Sequence, residues 1–242
     1  MNILLTNDDG YDAAGLQAAW RALAAIGDVC VVVPKSERSA CSHSIALRGP
    51  ITVERRNHPV FGMSFAVDGS PADCVRLAVA ALVEKPVDLV VSGINHGANA
   101  GVDMFYSGTI AGAREAAVLG LPAVALSQSL RAGLEPDWNA AAEISRVVMQ
   151  QILKDSLPEA GFWSVNFPAP IPPDAEKHIQ RVPTASHPMP MDFQRNDSDD
   201  GRVMEFGYGA SYWLREVSGP SDYSVIRDGG IAVTAIPLFG KF

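Results

Sequence analysis

Two adjacent carboxylates, Asp8 and Asp9, follow the first apolar run of the chain within Asn7-Asp8-Asp9-Gly10. Side chains alternate along a strand, so both acids face one point only if the chain turns there, and Gly10 makes such a turn cheap. Ionised side by side they repel, and a hard cation that accepts both oxygens removes that cost. Oxygen ligands with no His or Cys close by favour magnesium, manganese or calcium over zinc. The same tetrapeptide also fits an Asx-type turn that caps the next helix.

Two further segments carry chemistry. Ser36-Glu37-Arg38-Ser39, with Ser42, His43 and Ser44 close behind, is a hydroxyl cluster that fits either ordinary turn chemistry or the wall of a polar site. His43 is either a surface-loop histidine or a group near a phosphate. Gly93-Ile94-Asn95-His96-Gly97-Ala98-Asn99-Ala100-Gly101 then runs on to Tyr106-Ser107-Gly108-Thr109. Its glycines let backbone approach a ligand, and a helix start bearing Ser and Thr offers N–H groups and hydroxyls to an anion. The bland alternative is a flexible connection ending in an N-cap. Neither G-x-G-x-x-G nor a Gly-Lys-Ser/Thr phosphate loop is present. A haloacid-dehalogenase-type site would need a second Asp two positions after Asp8, where Gly10 stands.

The elements that must position these residues read as alternating strands and helices. Asn2 to Thr6 is a short apolar strand, and Leu16, Trp20, Leu23 and Ile26 recur at helical spacing. Val29 to Val33 is a β-branched run stopped by Pro34, as in a parallel strand covered on both faces. Phe65 to Val67 reads as another strand. Ser70-Pro71-Ala72-Asp73 has the N-cap, the proline and the first-turn acid of a helix that leads into Val75 to Val83. Strands at Val87 to Ser92, Pro122 to Ser127 and Trp163 to Asn166 alternate with helices at Thr109 to Leu119 and Trp138 to Leu153. This pattern predicts an α/β fold with a parallel three-layer sheet and a ligand site where loops leave the carboxyl ends of the strands. All three polar segments fall at such ends.

After Asn166 the pattern changes, with Pro168, Pro170, Pro172 and Pro173 in quick succession. Val203 to Phe206 and Ile231 to Ala235 then read as antiparallel strands of an arm or partner-facing subdomain. Tyr208, Tyr212, Trp213 and Leu214 supply interface anchors, or else belong to a hairpin packed on its own domain.

The 242 residues suffice for one domain, with 1–167 as core and 168–242 mostly as arm and closing strands. With 19 Lys and Arg against 27 Asp and Glu, the net charge of −8 argues against nucleic-acid polymers as partners but permits a single mononucleotide. A membrane partner is not expected, because no apolar run reaches membrane length. Cys30, Cys41 and Cys74 offer neither a zinc pattern nor a disulfide framework. The acids at 8 and 9 interrupt any leader-like segment, which predicts a cytoplasmic protein.

At these same residues the chain resembles the SurE family of nucleotidases. The resemblance rests on Asn7-Asp8-Asp9-Gly10, Arg38-Ser39, Gly69-Ser70-Pro71-Ala72-Asp73-Cys74, Ser92-Gly93-Ile94-Asn95 with Gly97 and Asn99, and Tyr106-Ser107-Gly108-Thr109. It resumes at Val165-Asn166-Phe167-Pro168, Ser221-Asp222 and Ile236-Pro237-Leu238. It implies a Rossmann-like core with a C-terminal antiparallel β arm, one divalent cation (magnesium or manganese, with calcium as a further option), and homodimers or homotetramers built through the C-terminal half. It further implies Asp8, Asp9, Ser39 and Asn95 as metal ligands, and Asn99, Ser107, Gly108 and Thr109 as the phosphate holders. Ala40 and Ala46 depart from the family, which often has Gly and Thr there.

The expected activity is hydrolysis of nucleoside monophosphates to nucleoside and phosphate by in-line attack of a metal-activated water. Asp8 would accept or orient the proton, and His43 would assist the leaving group. A covalent aspartyl-phosphate on Asp8 is the alternative route. A nucleotide-binding sensor of the same fold with little turnover is the alternative function.

Overall fold

The computed structural model of the chain describes residues 1–154, 158, 160–197, 202–209, 213, 215–216 and 219–239. The first strand, β1 (Asn2–Thr6), is apolar from Ile3 to Leu5 and divides these side chains between two cores. Ile3 and Leu5 join one buried cluster and Leu4 joins the other. That division sets the three layers. Helices α1 (Ala14–Ala24) and α4 (Trp138–Ile152) cover the first face, and α2 (Pro71–Leu77) and α3 (Gly108–Val118) cover the second.

Between them lies a sheet that also contains β2 (Asp28–Pro34), β3 (Val53–His58), β4 (Gly62–Val67), β5 (Leu89–His96), β6 (Ala123–Gln128), β7 (Gly161–Phe167), β8 (Ile179–Arg181) and β11 (Ile231–Pro237). Its order is β3-β4-β2-β1-β5-β6-β7-β11-β8. The run from β4 to β7 is parallel, while β3 and β11 pair antiparallel with β4 and β7. From β1 the chain proceeds outward through β2 and β4, then crosses back to lay β5 on the other side of β1. The loops after β1 and β5 therefore diverge at a topological switch point, where open α/β sheets leave a crevice.

The helix start expected at Ser70 is present in full. The Ser70 hydroxyl accepts from the Asp73 N–H, the Asp73 carboxylate accepts from the Ser70 N–H, and Pro71 opens the helix. Beyond Leu77 the helix widens into a π-turn over Ala78–Leu82.

In the C-terminal part the two expected antiparallel strands lie in different sheets. Among the described residues, β9 (Phe193–Asp197) and β10 (Met204–Tyr208) form a separate two-stranded antiparallel ribbon. The Ile231–Pro237 strand is instead inside the main sheet, because its near-continuous apolar run is buried between β7 and β8. The helix α5 (Asp222–Arg227) leads into it. The β3 edge strand, rich in charged residues, shows no apolar alternation and was not anticipated from the pattern. Trp213 packs on the chain's own Tyr223 at a ring separation of 6.0 Å. Tyr212 and Leu214 lie outside the described residues. Among the described residues no helix is long and apolar enough to cross a membrane.

Candidate functional site

The turn after β1 is built by its own residues. The Asn7 amide donates to the Gly10 carbonyl at 2.9 Å, and Gly10 holds φ +97°, with the Ser36–Glu37 backbone 3.0 Å from where a Cβ would stand. Only glycine satisfies both the left-handed backbone and that close approach. The loop after β2 is tied to the same turn, because the Arg38 N–H donates to the Asp8 carbonyl at 2.7 Å.

The turn sends the Asp8 side chain inward, where it is 4% exposed. The Thr109 hydroxyl donates to its Oδ1. A Cβ on Gly108 would lie 2.8 Å from Asp8 Cβ and 2.9 Å from its Oδ2, so the first turn of α3 presses its backbone against the carboxylate. Burial raises the Asp8 pKa to about 6, the Thr109 hydrogen bond opposes that shift, and the Asp9 charge adds to it. Asp9 is also raised, first by burial and then by Glu37, against the hydrogen bond from the His96 N–H at 2.9 Å.

Between Ser92 and Asn95 the pairing of β5 with β6 slips by one residue, a bulge that re-aims the end of β5. The Asn95 amide donates to the Gly97 carbonyl at 2.8 Å and leaves its Oδ1 beside the Thr109 hydroxyl at 3.3 Å. Asn99 is locked from three directions. Its side chain donates to Ser127 Oγ at 2.9 Å, its N–H donates to Asn166 Oδ1 at 2.8 Å, and its carbonyl accepts from the Asn166 amide at 3.3 Å. Ser107 caps α3 by accepting from the Ile110 N–H at 3.1 Å.

These elements enclose a cleft of about 430 Å³ whose walls include Asp8, Ser39, Asn95, Asn99 and Ser107. Grooves of about 430 and 530 Å³ lie elsewhere, one beside Cys30 and Arg55 and one beside Arg131 and Trp213. Asp8, against the start of α3, lines the first cleft and neither of these grooves, whereas Asp9, Gly108 and Thr109 are not among the cleft's lining residues.

Several expected residues hold different places. Thr109 is fully buried with its hydroxyl committed to Asp8, so it supports the acid from below. His43 is not brought to the cleft; its Nε2 lies 2.7 Å from Oε2 of the buried Glu115. Ser39 reaches the cleft, and its hydroxyl donates to Glu37 Oε1 at 2.6 Å. His96, Tyr106 and Met189 also line the cleft and were not singled out from the sequence. His96 and Tyr106 carried a usable signal, since each adjoins a selected residue. Met189 carried none, because it arrives from a Pro-rich segment remote in sequence.

A hard divalent cation fits this donor set. Two buried or half-buried acids repel each other, and among the described residues neither has an ion-pair partner to offset the charge. The donors around them are carboxylate, amide and hydroxyl oxygens, which suit magnesium or manganese. Among the described residues no cluster of three or more His, Cys, Asp or Glu side chains gathers to hold a metal. A cation here would therefore draw on two acids completed by Asn95 and Ser39.

Comparison with known proteins gives a consistent result. The family model described as Survival protein SurE matches residues 3–188. The 5'-nucleotidase SurE of Pelobacter propionicus is 40% identical over 229 residues, covering 93% of this chain and 85% of that protein. Its counterpart from Myxococcus xanthus is 37% identical over 236 residues, covering 97% of this chain and 86% of that protein. The crystal structure of the SurE protein from Aquifex aeolicus superposes with a TM-score of 0.85 at 30% identity, covering 99% of this chain and 94% of that one.

Proposed function

Because this chain belongs to the survival protein SurE family, we propose that it is a 5'-nucleotidase, a divalent-metal-dependent phosphomonoesterase that releases phosphate from nucleoside monophosphates. The observation that carries this reading is the Asp8 carboxylate, buried beside Asp9 and pressed against the N-terminus of α3 at the switch point of the sheet. A helix N-terminus stabilises an anion, and two anions already there call for a cation between them and a phosphate.

Asp8, Asp9, Asn95 and Ser39 would hold the ion. When bound, magnesium or manganese supplies Lewis acidity toward phosphoryl oxygens and acidifies water. Ser107 at the start of α3 and Asn99, held by Ser127 and Asn166, line the cleft and would hold the phosphate together with the Gly108 N–H. Donors fixed before the reaction stabilise developing charge without reorganising. Asp8 accepts or orients the proton of the attacking water. Its Oδ1 accepts from the Thr109 hydroxyl, which fixes the orientation of the carboxylate. Tyr106 and Met189 at the rim give the nucleoside an apolar wall.

Cytoplasmic residence is part of the same reading, supported by three free cysteines, as is self-assembly through residues 168–242. The function is tested by phosphate release from a panel of nucleoside monophosphates with and without manganese. Turnover that requires the metal is expected, and binding without turnover would contradict the reading.

A further inference from the structure

The loop that brings Ser39 to the cleft leaves β2 and runs over the starts of α2 and α3 before β3. Two of its non-glycine residues, Ala40 (φ 53°) and Ser42 (φ 56°), adopt left-handed backbone, which persists only where neighbours over-determine it. The ties are visible. The Ser42 N–H donates to the Tyr106 carbonyl at 3.0 Å and its hydroxyl to the Phe105 carbonyl at 2.7 Å. The Ser44 carbonyl accepts from Ser70 Oγ at 2.6 Å, and the Ala46 N–H donates to Asp73 Oδ1 at 2.8 Å.

Between these ties stands His43, facing a buried acid that belongs to no step of the hydrolysis. Glu115 on α3 is 4% exposed; its Oε1 accepts from Arg76 of α2 at 2.7 Å and its Oε2 lies 2.7 Å from His43 Nε2. Arg76 and His43 thus hold the two carboxylate oxygens of Glu115 from α2 and from the loop. His43 is not among the residues that line the cleft.

We propose that His43 is a positioning residue for the site assigned above: through Glu115 it fixes the loop so that Ser39 meets the cation and Ser42 holds the carbonyls just ahead of the Ser107 cap. This proposal rests on that assignment of the cleft. It replaces the leaving-group role expected of His43 with a mechanical one.

The test uses full-length, metal-free protein carrying His43→Ala or His43→Gln. Manganese is titrated by calorimetry, kcat and KM for a nucleoside monophosphate are measured at saturating manganese, and circular dichroism reports the fold. Supporting groups of this kind cost roughly tenfold or more in metal affinity when removed, and His43→Ala should show that loss with a fall in kcat larger than any rise in KM. His43→Gln keeps an N–H donor within reach of Glu115 and should recover most of both. If the alanine variant does not fold, His43→Asn, polar but too short to reach Glu115, takes its place with the same expectation.

Wild-type manganese affinity and kcat in His43→Ala overturn the proposal. So does a glutamine variant as impaired as alanine, which would mean that the imidazole itself acts in the cleft. If wild type binds manganese but hydrolyses no nucleoside monophosphate, the proposed activity fails, and the manganese titrations alone decide the role of His43.

Discussion

Replacing Asp8 with Asn should stabilise the metal-free protein while it destroys the site. Burial lifts the Asp8 pKa from 3.8 to about 6, so the folded state holds this proton more tightly than the unfolded chain does. The sign follows from linkage. A raised acid pKa leaves stability intact below the unfolded value of 3.8 and removes it as pH climbs through about 6. Roughly two pKa units at about 1.4 kcal/mol each put the loss near 3 kcal/mol at pH 8. Asn keeps an oxygen for the Thr109 hydroxyl but turns an NH2 group toward the Gly108 backbone, which returns about 1 kcal/mol. The net gain of about 2 kcal/mol corresponds to a Tm rise of roughly 4–8 °C for a chain of this length. Urea unfolding in the presence of EDTA at pH 4 and pH 8 measures it. The gap between variant and wild type should be small at pH 4 and open by pH 8. A gap that ignores pH, or a less stable variant at pH 8, would refute the reasoning.

Other expectations are independent of that one. Gly108→Ala inserts a methyl 2.8 Å from Asp8 Cβ and 2.9 Å from Cys41 Sγ, and should cost about 1–3 kcal/mol in stability along with most of the turnover, read by thermal melts and phosphate release. Chelation should silence the protein, and magnesium or manganese should restore it while zinc alone does not; activity that chelators never touch would count against the oxygen-ligand assignment. The β9–β10 ribbon has Phe193 58% and Phe206 57% exposed, and a lone two-stranded ribbon is marginal in water. Light scattering at micromolar concentration should therefore show a dimer or tetramer, which Phe193→Glu with Phe206→Glu should dissociate.

The sequence made the core legible where periodicity was local. β1, β2 and the Ser70 helix start announce themselves through apolar runs and a capping box, because each signal spans only a few residues. The partner of the Ile231–Pro237 strand was not legible, because alternation marks a strand without naming its neighbour, and β7 lies about 70 residues earlier in the chain. The acids and the glycine-rich loop stand out in the sequence because such residue types are costly where nothing requires them. The assignment of individual hydroxyls was less secure. Thr109 and Ser107 look equivalent at a helix start, and only the approach of α3 to β1 turns one of them onto Asp8. The contact of His43 was not legible for a related reason: its partner Glu115 is 72 residues away, and nothing near His43 advertises it.

The central claim is that Asp8 and Asp9 together make the centre of a metal-dependent nucleotidase. Asp9→Asn tests it most directly, since the amide oxygen can still accept from the His96 N–H while the charge is gone. Phosphate release from a nucleoside 5'-monophosphate, measured with manganese at concentrations that saturate wild type, should fall by roughly a hundredfold or more at unchanged circular dichroism. Wild-type turnover in the variant would contradict the account.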